Sequence, residues 1–175
     1  MARNLAGMSS LPTPIVAAII GEGGSGGALA LGVADRILML EHAIYSVISP
    51  EGAAAILFRD AGQAESVSEV LKLTAHDLRS FGIIDVVVPE PEGGAHLDPD
   101  ATAATLKSHI LANLLKIDKT PTGRLLAERY KKFRHIGRGG IFWREVVRNK
   151  IRDAFGIMDR QRPGEPKAQK RTQGR

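Results

Sequence analysis

A chain of 175 residues is long enough for one domain of ordinary size with a buried core. It has no cysteine, which excludes disulfides and thiolate zinc sites, and no apolar stretch of bilayer-spanning length. The net charge of +5 is unevenly spread: residues 1–137 carry 13 Lys/Arg against 15 Asp/Glu and residues 138–175 carry 11 against 4, so the basic character belongs to a C-terminal extension.

Met1 to Met8 reads as the end of a helix, stopped by Pro12 and Pro14. The segment carries Arg3 and no sustained apolar run, so no leader is expected and a soluble cytoplasmic protein is the default. Ile15 to Ile20 is a predicted strand. The run Gly21-Glu22-Gly23-Gly24-Ser25-Gly26-Gly27-Ala28 follows as a turn, and a short small-residue helix runs from Gly26 to about Ala34. Arg36–Leu40 and Ala43–Ile48 are predicted strands. Ser49 then suits an N-cap, Pro50 the first helical position and Glu51 the positive end of the dipole of a helix reaching about Arg59, with Ala53, Ile56 and Leu57 on one face. Helices are expected over Val67–Leu73 and, capped by Thr74, over Ala75–Phe81, stopping at Gly82. Ile83–Val88 is a strand, Glu92–His96 a loop, and Asp98-Pro99 opens a long helix with Leu106, Ile110, Leu111, Leu114 and Leu115 at helical spacing. A further helix spans Pro121 to about His135.

The glycine run organises the chain. Glycine is needed where φ is positive or where another group must approach the backbone closely. N–H groups in the first turn of a helix lack an intrahelical acceptor. Such a turn can cradle a phosphate or the oxyanion that develops on a carbonyl. The first use is the dinucleotide fingerprint. Gly21 to Gly26 satisfies G-x-G-x-x-G after a strand, and Glu41 lies twenty residues after Gly21 at the end of the next one. Against it stand the short helix with Gly32 inside, the want of a second βαβαβ half and the nearness of Pro12 and Pro14. In the second use, Gly26 and Gly27 present their N–H groups to a carbonyl that becomes negative during acyl or carboxyl transfer.

Several stretches in order favour the second. They are Ile20 to Ala30, Tyr45 to Gly52, Gly82-Ile83-Ile84-Asp85, Pro89-Glu90-Pro91, Gly93-Gly94-Ala95-His96 and Glu128-Arg129-Tyr130. From about Arg3 to Gly137 the chain resembles the C-terminal half of the α subunit of bacterial acetyl-CoA carboxylase carboxyltransferases. The resemblance implies an α/β fold of crotonase-like type (ClpP/crotonase), a spiral of ββα turns. Here it is expected over residues 1–137 and incomplete at its N-terminus. The implied activity is transfer of CO₂ from carboxybiotin, held on a biotin carboxyl carrier protein, to acetyl-CoA. The product is malonyl-CoA for fatty acid synthesis. It implies a carboxyltransferase β subunit as partner, in a hetero-oligomer of two α and two β subunits. Gly26 and Gly27 are then the oxyanion donors toward the biotin ureido carbonyl, and Glu22, Gly23, Gly24, Ser25, Glu51 and His96 are candidate substrate contacts. The chain departs from the family's pattern by lacking its N-terminal half, by carrying Ala53 where many relatives have cysteine, and by continuing past Gly137.

Plainer roles stand beside these. Glu51 matches a catalytic position of related hydratases, yet a first-turn carboxylate on a helix dipole accounts for it more simply. Glu22 is equally a solvated loop carboxylate, and Ser25 is a turn residue before it is a nucleophile. The five histidines show no metal-ligand spacing, and of them His96 is the most open to a function. Residues 138–160 are expected to form a basic amphipathic helix, with Phe142, Val146, Ile151 and Phe155 set among Arg144, Arg148, Lys150 and Arg152. Ordinary packing or subunit docking ranks above a membrane or nucleic acid as its use. Residues 161–175 lack the apolar content to fold. A non-catalytic interaction module remains a further alternative for the whole chain.

Overall fold

The computed structural model describes residues 2–136. The predicted basic helix and tail lie outside them. The elements are α1 (Ala2–Ser9), β1 (Val16–Ile19), β2 (Glu22–Gly24), α2 (Ser25–Leu31), β3 (Arg36–Leu40), β4 (Ile44–Ser46), α3 (Pro50–Phe58), a 3₁₀ turn (Ala61–Gln63), α4 (Ala64–Leu71), α5 (Ala75–Ser80), β5 (Val86–Val88), α6 (Pro99–Asp118) and α7 (Thr122–His135).

Two parallel sheets run through this order. One is β1-β3-β5 and the other is β2-β4. Ala17 faces Ile37 across the first pair, Met39 faces Val87 across the second, and Gly23 faces Tyr45 in the small sheet. The chain therefore repeats a unit: a strand in the large sheet, a strand in the small sheet, then a helix. β1-β2-α2 is one turn of that spiral and β3-β4-α3 is the next, which is the predicted ββα architecture.

The central strand β3 reads as an unbroken apolar run because both of its faces are covered. Ile37, Leu38, Met39 and Leu40 are buried together with Ala34, Ala43, Ala75, Leu78, Ile84 and Val88, and Leu106, Ile110 and Phe133 pack on this core. The helix caps follow the sequence chemistry. Ser49 Oγ accepts from Gly52 N–H, Thr74 Oγ1 from Asp77 N–H and Asp98 Oδ1 from Ala101 N–H, each satisfying a first-turn donor.

Four expectations change. The first half of the glycine run is not a turn: Glu22–Gly24 extends as β2 and pairs with β4. The strand expected from Ile83 starts at Val86, because Ile83 and Ile84 N–H groups close the end of α5 on Leu78 O. On α6 the inward positions are Thr102, Leu106, Ile110, Asn113 and Ile117, spaced by three or four residues, while Leu111 and Leu115 are exposed. On α3 it is Ala53 and Ala54 that are buried against Val67, whereas Ile56 and Leu57 face outward with Phe58.

The edge of the large sheet where its strands begin is held by charge. Arg129 of α7, 2% exposed, uses every N–H donor of its guanidinium. Nε and Nη2 donate to the two oxygens of Asp35 at 2.8 and 2.7 Å. Nη1 donates to Met8 O and Leu11 O, and Nη2 also to Thr13 O. Asp35 in turn accepts from Ile15 N–H at 2.8 Å. One helical turn further along α7, Lys132 donates to Asp85 at 2.5 Å, and Asp85 accepts from Ile37 N–H at 2.7 Å and from Arg36.

Removing one partner from a buried ion pair strands the other, at a cost of roughly 3–5 kcal/mol. Arg129→Ala is therefore expected to lower Tm by about 10 °C or more. Arg129→Lys is expected to recover little of the loss, because an ammonium cannot span Asp35 and three carbonyls at once. Thermal unfolding of both variants followed by circular dichroism checks this, and a wild-type Tm for Arg129→Lys would contradict it.

Candidate functional site

The three strands of the large sheet are parallel, so the residues that follow them share one edge, opposite Arg129 and Lys132. These are Ile20-Gly21 after β1, Glu41-His42 after β3, and Pro89-Glu90 after β5. Loops beyond the C-terminal ends of parallel strands are where open α/β sheets bind ligands. Here that edge carries the glycine run.

Gly23 and Gly24 lie on β2, and α2 starts at Ser25. The change of direction falls on Ser25, whose φ of +63° is left-handed in a non-glycine residue. Gly26 and Gly27 then occupy the first turn of α2, where their N–H groups have no intrahelical acceptor. A Cβ placed on Gly24 or on Gly27 would meet nothing within 4 Å, so the main chain there is open to a ligand. A cleft of about 330 Å³ runs along the inner side of the turn, lined by Ile19, Gly21 to Gly24, Ala28 and Tyr45. A second, more apolar cavity of about 400 Å³ lies beyond Ser25, walled by Leu29, Val47, Leu73, Leu78 and Phe133. Tyr45 borders both.

Glu22 is exposed at the start of β2 and lines the first cleft. Glu51 is exposed in the first turn of α3 and lines neither cavity. His96 is exposed in the loop after β5, its ring packed over Gly94, and it too lines neither. The fold thus brings Glu22, Gly23 and Gly24 into the first cleft and places Ser25 on the second cavity. Gly26 and Gly27, in the first turn of α2, line neither cavity, and nor do Glu51 and His96.

Glu41 does not match the dinucleotide expectation. Its carboxylate lies 3.3 Å from Nε2 of His76, and the glycine run that should close on a phosphate is instead a strand of the small sheet. No cluster of metal-ligating side chains occurs among the described residues.

Two residues shape this edge without a motif of their own in the sequence. Tyr45 underlies the glycine turn. Its trace in the sequence is Gly32, whose missing Cβ makes room for the Tyr45 hydroxyl. Glu90 ties the loop after β3 to its own loop after β5, and its side chain is 5% exposed. Its Oε1 accepts from His42 N–H and its Oε2 from Ala95 N–H, both at 2.8 Å, and the His42 ring lies 3.4 Å away. Burial opposes its charge, but the two backbone donors and the His42 ring outweigh burial and hold its carboxyl below the usual range.

The architecture defines the chain as a crotonase-like α/β protein. A likeness of fold to a solved Pseudomonas malonate decarboxylase hetero-tetramer in complex with coenzyme A has a TM-score of 0.59 at 18% identity, over 87% of this chain and 58% of that one. The sequence comparisons are more specific. The family model described as acetyl co-enzyme A carboxylase carboxyltransferase-like matches residues 1–137, and the chain belongs to that family. It is 52% identical over 136 residues to the acetyl-coenzyme A carboxylase carboxyl transferase subunit alpha of Clostridium perfringens, covering 78% of this chain and 50% of the relative. It is 53% identical over 137 residues to the corresponding subunit of Stenotrophomonas maltophilia, covering 78% and 43%. A Salinispora tropica protein named for subunits beta/alpha is 51% identical over 141 residues, covering 81% of this chain and 25% of the relative. The chain thus spans about half, or less, of the length of the curated relatives it matches.

Because the pKa of Glu90 is lowered by folding, its contribution to stability is present above the ordinary carboxyl value of 4.5 and is lost as pH falls through the lower, folded value. Glu90→Gln is expected to lower Tm at pH 7, with the difference from wild type shrinking in acid below about pH 4. Melting curves taken across that range read the effect, and a difference independent of pH would refute the assignment.

Proposed function

We propose that this chain is part of the carboxyltransferase α subunit of an acetyl-CoA carboxylase. In this reading it helps transfer CO₂ to acetyl-CoA, giving malonyl-CoA for fatty acid synthesis. The observation that carries the reading is the first turn of α2, open at Gly27 where an added Cβ would meet nothing within 4 Å, in a member of this family. Biotin, brought as carboxybiotin on a carrier protein, supplies the transferable CO₂. The open main chain fits a flat ureido ring, since a Cβ at Gly27 would stand in empty space that a ligand can occupy.

Gly26 and Gly27 would hold the ureido carbonyl oxygen through their N–H groups and stabilise negative charge there. Donors fixed in place before the charge appears stabilise it without reorganisation. The positive end of α2 adds to the same potential. Gly23 and Gly24 keep the approach clear, and Glu22 lies on the cleft where it can orient the ring's N–H side. Carbon–carbon bond formation would need an enolate of acetyl-CoA, formed when the methyl group gives its proton to the ureido nitrogen that loss of CO₂ leaves anionic, and the CoA ester is assigned to the β subunit. The Salinispora relative named for both subunits on one chain supports a β partner at close quarters. Glu51 and His96 have no part in the carboxyl transfer itself.

The test uses a complex reconstituted from this chain, the sequence that completes the domain in a full-length relative, a β subunit and a biotinylated carrier. Gly27→Val is expected to leave Tm within a few degrees, because the added Cβ meets nothing. It is expected to cut malonyl-CoA formation by roughly 100-fold or more. Wild-type turnover in that variant would overturn the oxyanion assignment.

A further inference from the structure

We infer that Tyr45 is a positioning residue that sets the angle at which α2 presents Gly26 and Gly27. The inference rests on the oxyanion reading of those two glycines. α2 has seven residues, too few to hold its own shape by backbone bonds alone. Something outside it must fix it, and the Tyr45 side chain reaches from β2 to the middle and C-cap of the helix. At one end the ring lies against Gly23, its register partner, where an added Cβ would stand 3.0 Å from the ring edge. At the other end the hydroxyl donates to Ala28 O at 3.3 Å, the same carbonyl that accepts from Gly32 N–H at 2.8 Å. The hydroxyl fills the place of a Gly32 side chain so closely that a Cβ there would be 2.2 Å from Oη.

Burial raises the pKa of the phenol, so it stays a donor throughout the neutral range. Tyr45 thus forms the wall between the two cavities and the strut under the turn that separates them. A glycine at each end of the ring lets the strut sit this close. No part of the arrangement places Tyr45 on the reacting atoms.

Two measurements decide the matter. In the full chain, hydrogen exchange of the intrahelically bonded amides of Ala28 to Leu31 is expected to quicken about fivefold in Tyr45→Phe, the loss of one net hydrogen bond, with the β3 amides unchanged. Gly32→Ala, which pushes on the hydroxyl, is expected to quicken the same amides. The double variant Tyr45→Phe/Gly32→Ala is expected to show less than the summed effect, because the atom in conflict is gone. In the reconstituted complex, Tyr45→Phe is expected to lower kcat about fivefold with KM for the acyl-CoA within twofold, since the substrate's own contacts remain. Unchanged exchange in α2, additive single effects, or a change in KM alone would each overturn the inference. A wild-type complex that forms no malonyl-CoA would instead refute the carboxyltransferase reading, and the exchange measurements would still decide the role of Tyr45.

Discussion

The hydrogen-bonded pair of Arg129 and Asp35 is the constraint on which the other features depend. A guanidinium buried in this way is tolerable only if each of its donors is met. Here the acceptors come from α1, from the segment before β1 and from the turn before β3. Asp35 and Asp85 also hold Ile15 N–H and Ile37 N–H, so the starts of β1 and β3 are set by the same two carboxylates that bind α7. The buried pairs of Arg and Lys with carboxylates thereby gather at one edge of the large sheet. The opposite edge is free to carry glycine, short loops and an open main chain, which is what a site built from peptide N–H groups needs.

Much of this was legible in the residues. The strands at Val16–Ile19 and Arg36–Leu40 lie within apolar, β-branched runs, and the caps at Ser49, Thr74 and Asp98 are local chemistry that needs no tertiary information. The glycine run announced a close approach to the backbone, and the ordered set of stretches identified the family. The spacing of Gly21, Gly26 and Glu41 was a true decoy. It reproduces the geometry of a strand, a helix start and a parallel strand, and this fold has that geometry in β1, α2 and β3 without the chemistry that accompanies it elsewhere.

What escaped the sequence was tertiary. Nothing local tells that Glu22 to Gly24 will find a partner strand, because glycine has no side chain to declare a face. The pairing is imposed by β4. On α6, an isoleucine and a leucine at helical spacing could mark either of two overlapping faces. The choice went to the one that also buries Thr102 and Asn113, whose side chains bond to carbonyls of their own helix or the preceding loop. Arg129 carried its signal only as one letter of a motif, since charge alone gives no hint of burial. The roles of Tyr45 and Glu90 depend on contacts that no period reveals.

The reach of Arg129 also bears on the order in which the chain acquires its shape. Its partners lie 94 residues back at Asp35 and 121 residues back at Met8. Contacts across such separations close large loops and form late, after local helices and the nearer strand pairs. During synthesis from the N-terminus, the carbonyls of residues 8–13 and the Asp35 carboxylate must wait for α7, 94 residues or more further along the chain. Until then the guanidinium that gathers α1, the segment before β1 and Asp35 is missing. Arrival of α7 is therefore the step that turns a collection of local elements into a committed structure.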